Sequence, residues 1–327
     1  MDIFYSTLGQ TISLFLLILI GFVLSKAKIL PKESAKVLAK LENWVFIPAL
    51  MLKTFMDDFS VDKLGSSGLV FLFSACLLIP VAPLSVLISR PLARDAFTRN
   101  IFTYGLAFSN FGYMGLAVVA AVFSQYEADY LIFIMPLYIL IYLWGVPYLL
   151  MREEKTTFRQ NLKSLLNPMF IGMFIGMVLG LVGSLLPSDI TIPTALEPPV
   201  KALDSVITAL KGCMSPAAMI LTGVTVASIN LKKTFGNFKI YAVTAIRLLA
   251  IPLLFLGVFK LWNLIPGVPA IPENIFVCAI ASLAMPLGLN TIVIPSAYGK
   301  DVSVAAGMAL VSHLLSCVTI PLIFLLI

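Results

Sequence analysis

The sequence predicts an all-α integral membrane protein of ten transmembrane helices, arranged as two inverted repeats of five. Three observations carry this prediction. The 327 residues are 60% hydrophobic and only 12% charged, with a mean hydropathy of +1.03. A water-soluble core of this length cannot hide so much apolar surface. The apolar stretches run near twenty residues each, enough to cross about 30 Å of hydrocarbon at 1.5 Å rise per residue. Prolines and short words also recur between the two halves at a nearly constant offset.

The predicted spans are 6–25, 36–57, 68–89, 101–124, 130–150, 167–187, 200–229, 240–263, 274–297 and 303–327. Most of the 22 basic residues fall at or beside the gaps that follow odd-numbered spans, including Lys26, Lys28, Lys32, Arg90, Arg94, Arg99, Arg152, Lys155, Lys232, Lys233 and Lys300. The opposite gaps lean acidic, with Asp57, Asp58, Asp62, Glu127, Asp129 and Asp189. The positive-inside rule then places both termini outside the cytoplasm, in a multi-pass protein of the cytoplasmic membrane. The net charge of +6 follows from this loop bias and points to the lipid bilayer, not to nucleic acid.

No basic segment precedes the first span, so Thr7 to Ser25 reads as a retained helix and not a cleaved signal peptide. Cys76, Cys213, Cys278 and Cys317 lie inside spans at unrelated spacings, so neither disulfides nor a metal site is expected, and no cofactor. The gaps leave no room for a soluble domain.

The repeat is legible in the prolines. Pro31 and Pro199 differ by 168, as do Pro48 and Pro216; Pro80 and Pro252 differ by 172, and Pro147 and Pro321 by 174. Residues 1–152 form the first copy and 160–327 the second. Five is odd, so the second copy enters the membrane from the other side. Inverted repeats of this kind characterise secondary transporters, with a site near the midplane where the copies meet. Taken singly, Pro80, Pro147, Pro252 and Pro321 read as ordinary tolerated kinks.

Spans four and nine differ from the rest. The fourth carries Ser109-Asn110-Phe111-Gly112-Tyr113-Met114-Gly115, and the ninth Ala284-Met285-Pro286-Leu287-Gly288-Leu289-Asn290-Thr291. Glycine loosens a helix, and proline removes one N–H and obstructs an earlier carbonyl. Two helices broken at equal depth offer half-helix N-termini, which attract anions. Glycines alone would equally suit close helix packing.

These words resemble the auxin efflux carrier family, which includes the plant PIN-FORMED auxin carriers and bacterial malonate and malate permeases. The resemblance rests on Asn43-Trp44-Val45-Phe46-Ile47-Pro48-Ala49-Leu50, on Asn110 through Gly115, and on the run from Pro286 through Asn290 to Tyr298-Gly299. It covers the full length. It implies a fold like that of the bile acid and sodium symporters, with a scaffold part and a transport part in which spans four and nine cross. It also implies organic anions as substrates and an elevator-like motion. Family members often continue the fourth-span glycine with Leu-Pro, whereas this chain reads Leu116-Ala117.

Charged residues inside a membrane are functional candidates, because a charge at the centre costs roughly 2.5–3.5 kcal/mol on insertion scales. Lys211 is expected to meet either a substrate carboxylate or Asp204, seven residues earlier. Arg247 would snorkel to lipid phosphate or grip a carboxylate with both arms. Lys53, beside Asp57, reads as an interface anchor. His313, the sole histidine, is either a proton relay or a packed, hydrogen-bonded residue. Glu42 is a candidate gate or coupling carboxylate, or a surface residue.

The leading expectation is a transporter of a small mono- or dicarboxylate, malonate-, malate- or auxin-like. Binding would use Asn43, Ser109, Asn110, Gly112, Gly115, Pro286, Gly288, Asn290 and Thr291, with Lys211 or Arg247 as counter-charge. A homodimer through scaffold spans is a further expectation. A sodium-coupled symporter of bulkier anions is the alternative, and an anion channel a weaker one. No catalytic pair or metal spacing suggests an enzyme.

Overall fold

A computed structural model describes residues 2–31, 33–151, 157–187, 197–228 and 236–326. Lys32, Arg152, Lys155, Asp189, Lys232 and Lys233, which enter the loop-charge argument, lie outside these residues. Among the described residues there is no strand, only the isolated bridge described below.

The helices are α1 (Asp2–Lys26), α2 (Ser34–Leu41), α3 (Ile47–Asp58), α4 (Leu64–Leu78), α5 (Val81–Leu92), α6 (Ala96–Ala107), α7 (Leu116–Val122), α8 (Glu127–Leu140), α9 (Phe158–Lys163), α10 (Pro168–Leu185) and α11 (Glu197–Ser228). They continue as α12 (Phe238–Ala245), α13 (Ile251–Trp262), α14 (Glu273–Leu283), α15 (Asn290–Ala297) and α16 (Ser303–Phe324). Among the described residues, seven helical segments are long and apolar enough to cross a membrane: Phe4–Lys26, Gly65–Leu92, Ser124–Leu150, Pro168–Leu185, Glu197–Ser228, Phe238–Trp262 and Ser303–Phe324. The protein is therefore a multi-pass membrane protein. Predicted spans two, four and nine are not among the seven. Four and nine fall short because the helix stops inside each, and span two carries Lys40, Glu42 and Lys53 along its length.

Among the described residues, four π-helical stretches interrupt the α-geometry, at Glu42–Phe46, Phe111–Gly115, Ile141–Leu150 and Ile246–Ala250. Such widened turns loosen the backbone ladder and often sit at functional sites. Here they hold Glu42, Gly112, Tyr142 and Arg247.

Glycine sets the tightest helix contacts. A Cβ on Gly223 of α11 would lie 2.0 Å from the Ile18 carbonyl oxygen of α1, and one on Gly21 would lie 2.2 Å from that of Ile220. On α10, Gly172, Gly176 and Gly180 face the Pro48, Leu52 and Phe59 carbonyls of α3 and its C-terminal flank in the same way. Without water to drive them together, helices in lipid associate by such close backbone approach. Large apolar side chains such as Leu19, Val23, Phe174 and Leu254 remain exposed on the outer faces, as a lipid-facing surface requires.

The start of α6 is fixed by Asp95, whose side chain accepts from the Thr98 N–H at 2.7 Å. That bond holds the exposed carboxyl below its usual range.

Candidate functional site

The backbone leaves helical geometry after Ala107 and again after Leu283. The two breaks, at residues 108–110 and 284–289, lie against each other as a short antiparallel bridge between Ser109 and Leu287. Asn110 N–H donates to Pro286 O at 2.8 Å, and Gly288 N–H donates to Phe108 O at 3.1 Å. Each break thus satisfies backbone groups that the other would leave orphaned in lipid. Gly288 permits the approach: a Cβ there would lie 2.8 Å from Phe108 O and 2.9 Å from Ser109 O. The break in span four precedes Gly112 by a few residues. Helix resumes through Gly115 into Leu116-Ala117, where no proline stops it.

Arg247 corrects the expectation for its position. Its side chain is 1% exposed, so it does not snorkel to lipid. Its Nη1 donates to Leu106 O at 2.9 Å, and its Nη2 to Leu283 O at 2.7 Å and Ser282 O at 3.4 Å; Nε reaches Met285 O at 3.3 Å. These carbonyls belong to the C-terminal ends of α6 and α14 and to Met285, two residues beyond α14. Helix ends carry unsatisfied carbonyls and partial negative charge, so one guanidinium neutralises two helix ends at once.

A pocket of about 20 Å³, room for one water, lies at the meeting of the breaks. Ser109, Asn110, Gly112, Gly288 and Asn290 line it, together with Tyr104, Tyr113, Tyr138 and Tyr142 and the apolar Ile47, Leu50, Met169 and Met214. Tyr113 Oη donates to Asn290 Oδ1 at 3.5 Å. Ser109 Oγ donates to Ser282 O. Asn110 Oδ1 is buried without a hydrogen-bond partner. The four tyrosines were not singled out as site residues from sequence, although Tyr138 and Tyr142 stand one helical turn apart and Tyr113 sits inside the quoted fourth-span word.

The remaining candidates lie around this pocket, not in it. Gly115 is buried where a Cβ would lie 2.1 Å from Tyr130 Oη. Thr291 is buried and donates to Gly288 O at 2.8 Å, and Pro286 supplies the carbonyl for Asn110. Lys211 lies 3.7 Å from Glu127, not beside Asp204; Asp204 pairs with Lys53 at 2.8 Å, which also holds Asp57 at 2.8 Å. Among the described residues no basic side chain lines the pocket.

His313 sits behind Asn110. Its Nδ1 is 2.8 Å from Ala309 O, which accepts only if Nδ1 carries hydrogen; Nε2 is then the acceptor for Asn110 Nδ2 at 3.0 Å. Glu42 is fully buried, which overturns a surface position, and neither carboxylate oxygen has a hydrogen-bond partner.

A second cavity of about 670 Å³ opens beside the first. Lys40, Asn43, Trp44, Gln160, Asn161, Asn167 and Tyr298 line it, and Tyr142 borders both spaces. Asn43 belongs to this larger cavity, with its Nδ2 turned to Ala39 O at 2.8 Å.

Broken helices that satisfy one another at a buried polar pocket, within a bundle of apolar spans, mark a membrane transporter. The sequence comparison names the group: the chain belongs to the membrane transport protein family, that of the auxin efflux carriers, whose sequence model matches residues 6–161 and again 155–324. No curated protein matches the chain.

Proposed function

We propose that this protein is a secondary transporter of a small organic anion, a mono- or dicarboxylate of the malonate, malate or auxin kind, across the cytoplasmic membrane. The observation that carries the reading is the pocket at the paired breaks. It offers Asn110, Asn290 and four tyrosine hydroxyls as neutral hydrogen-bonding groups, and the half-helix starting at Asn290 and the turn starting at Phe111 begin at its wall. Helix N-termini and amides hold an anion without a fixed cation. The small volume, room for one water and too tight for any of these anions, fits a closed state. The larger cavity beyond Tyr142, with Lys40 on its wall, supplies the route of entry.

Two five-helix copies of opposite orientation account for the packing. The glycine-mediated pairs α1–α11 and α3–α10 involve spans one with seven and two with six, which exchange when the copies are swapped. Those four spans would form the scaffold and the dimer contact, while the paired breaks slide past them in an elevator motion, both termini lying outside the cytoplasm. Arg247 supports independence from sodium. Carbonyls at unwound half-helix ends hold sodium in other transporters, and here a guanidinium takes them. Glu42 and His313 are the groups able to couple a proton.

Uptake of labelled malonate, malate and indole-acetate into proteoliposomes, with and without a sodium or pH gradient, tests this. Asn110→Ala and Asn290→Ala should each abolish uptake at unchanged protein level. Near-normal transport by both variants would remove the pocket as the site.

A further inference from the structure

A third cavity, of about 350 Å³, lies away from the paired breaks, between the end of α5 and the start of α6. Val86, Ser89 and Arg90 of α5, Arg99, Asn100 and Thr103 of α6, and Leu149 line it. Among the described residues that line it there is no carboxylate. Neither Arg90 nor Arg99 has an ion pair among the described residues, although both side chains border one space. Asn100 is only 7% exposed, yet its amide has no hydrogen bond among the described residues. The two hydroxyls are already engaged: Ser89 and Thr103 lie 2.6 Å apart, and Thr103 donates to Arg99 O at 2.9 Å. Two unpaired guanidiniums and a buried amide therefore remain to bind a ligand.

We propose that this cavity binds a phosphate group, supplied by the headgroup of an anionic phospholipid. Guanidinium forks match phosphate oxygens in pairs, and the described lining, with two guanidiniums, suits an anion. The location selects the source. Arg90 stands in the last turn of an apolar α5, and on the proposed orientation this end meets the anionic cytoplasmic leaflet. A cavity of this size accommodates a glycerol-phosphate headgroup more naturally than a bare ion. The bound group would tie α5 to α6, and α6 leads straight into the break at residues 108–110, so the lipid would brace the helix that carries Asn110.

Native mass spectrometry of the delipidated full-length protein, titrated with phosphatidylglycerol or phosphatidylcholine, tests the proposal. The wild type should retain one phosphatidylglycerol in preference. Arg90→Gln/Arg99→Gln should lose affinity for it by roughly tenfold or more. The single Arg90→Gln change, at an exposed position, provides a variant whose fold is secure, and Arg94→Gln, outside the cavity, should bind as the wild type does. Stabilisation of lipid-free wild type by millimolar inorganic phosphate, absent from the double variant, would support the same site with a soluble source. The proposal is overturned if retention and phosphate stabilisation are unchanged in the double variant, or if Arg94→Gln weakens binding equally.

Discussion

Asn110 and His313 lie 3.0 Å apart, amide nitrogen to imidazole Nε2, although 203 residues separate them in sequence. The histidine fixes the amide with its NH2 turned to the ring and its Oδ1 turned away. A proton added at Nε2 would make that nitrogen a donor and force the amide to turn over. His313→Ala should therefore lower uptake about 5- to 10-fold, the worth of one hydrogen bond near 1 kcal/mol, without loss of protein from the membrane. His313→Gln, which retains an acceptor, should recover part of it. Proteoliposome uptake at several pH values distinguishes the two roles, because a positioning histidine scales the whole profile and a coupling one changes its shape.

Arg247→Met should destabilise the protein by about 3–5 kcal/mol, since it strips the donors from four buried carbonyl contacts. Arg247→Lys should rescue little, because one ammonium lacks the flat fork that reaches two helix ends together. Thermal unfolding of purified protein followed by monodisperse elution checks both. A melting temperature within a degree or two of wild type for Arg247→Met would contradict this account.

The glycines of the breaks should separate by what faces them. A Cβ on Gly288 meets backbone carbonyls that cannot move independently, so Gly288→Ala should push the breaks apart and eliminate transport. A Cβ on Gly112 first meets the far end of the Tyr138 side chain, its hydroxyl at 2.2 Å and Cζ at 3.3 Å, and that ring can swing aside. Gly112→Ala should leave folding intact and alter affinity or substrate choice, readable as a changed KM ratio between malonate and malate.

Glu42 buries two carboxylate oxygens without a hydrogen bond, in a helix packed against α11 and α15, and lies in electrostatic range of Tyr113. Glu42→Gln keeps the shape and removes the capacity to carry a proton. If Glu42 couples transport to protons, uptake driven by a pH gradient should fall at least tenfold in this variant while substrate counterflow persists. Equal loss of both would make the residue structural.

Much of the membrane class was legible because a lipid solvent imposes length and apolarity on every span, and Gly112, Pro286 and Gly288 announced the broken helices through backbone chemistry alone. The partners were not legible. Arg247 serves carbonyls 35 to 141 residues away, and only their convergence turns a costly charge into a cap. The four tyrosines come from spans four and five, and a list of apolar stretches does not say which faces turn inward. Lys211 looked like a counter-charge because the sequence could not show Glu127 beside it, or Lys53 already occupying Asp204.

The guanidinium of Arg247 is shared property. Because one side chain grips the tail of both first half-helices, neither can shift in the bilayer without dragging its counterpart and the helix that bears the arginine. Three elements drawn from both halves of the polypeptide are thereby fastened together, and in the proposed elevator motion the two sides of the pocket would travel as one.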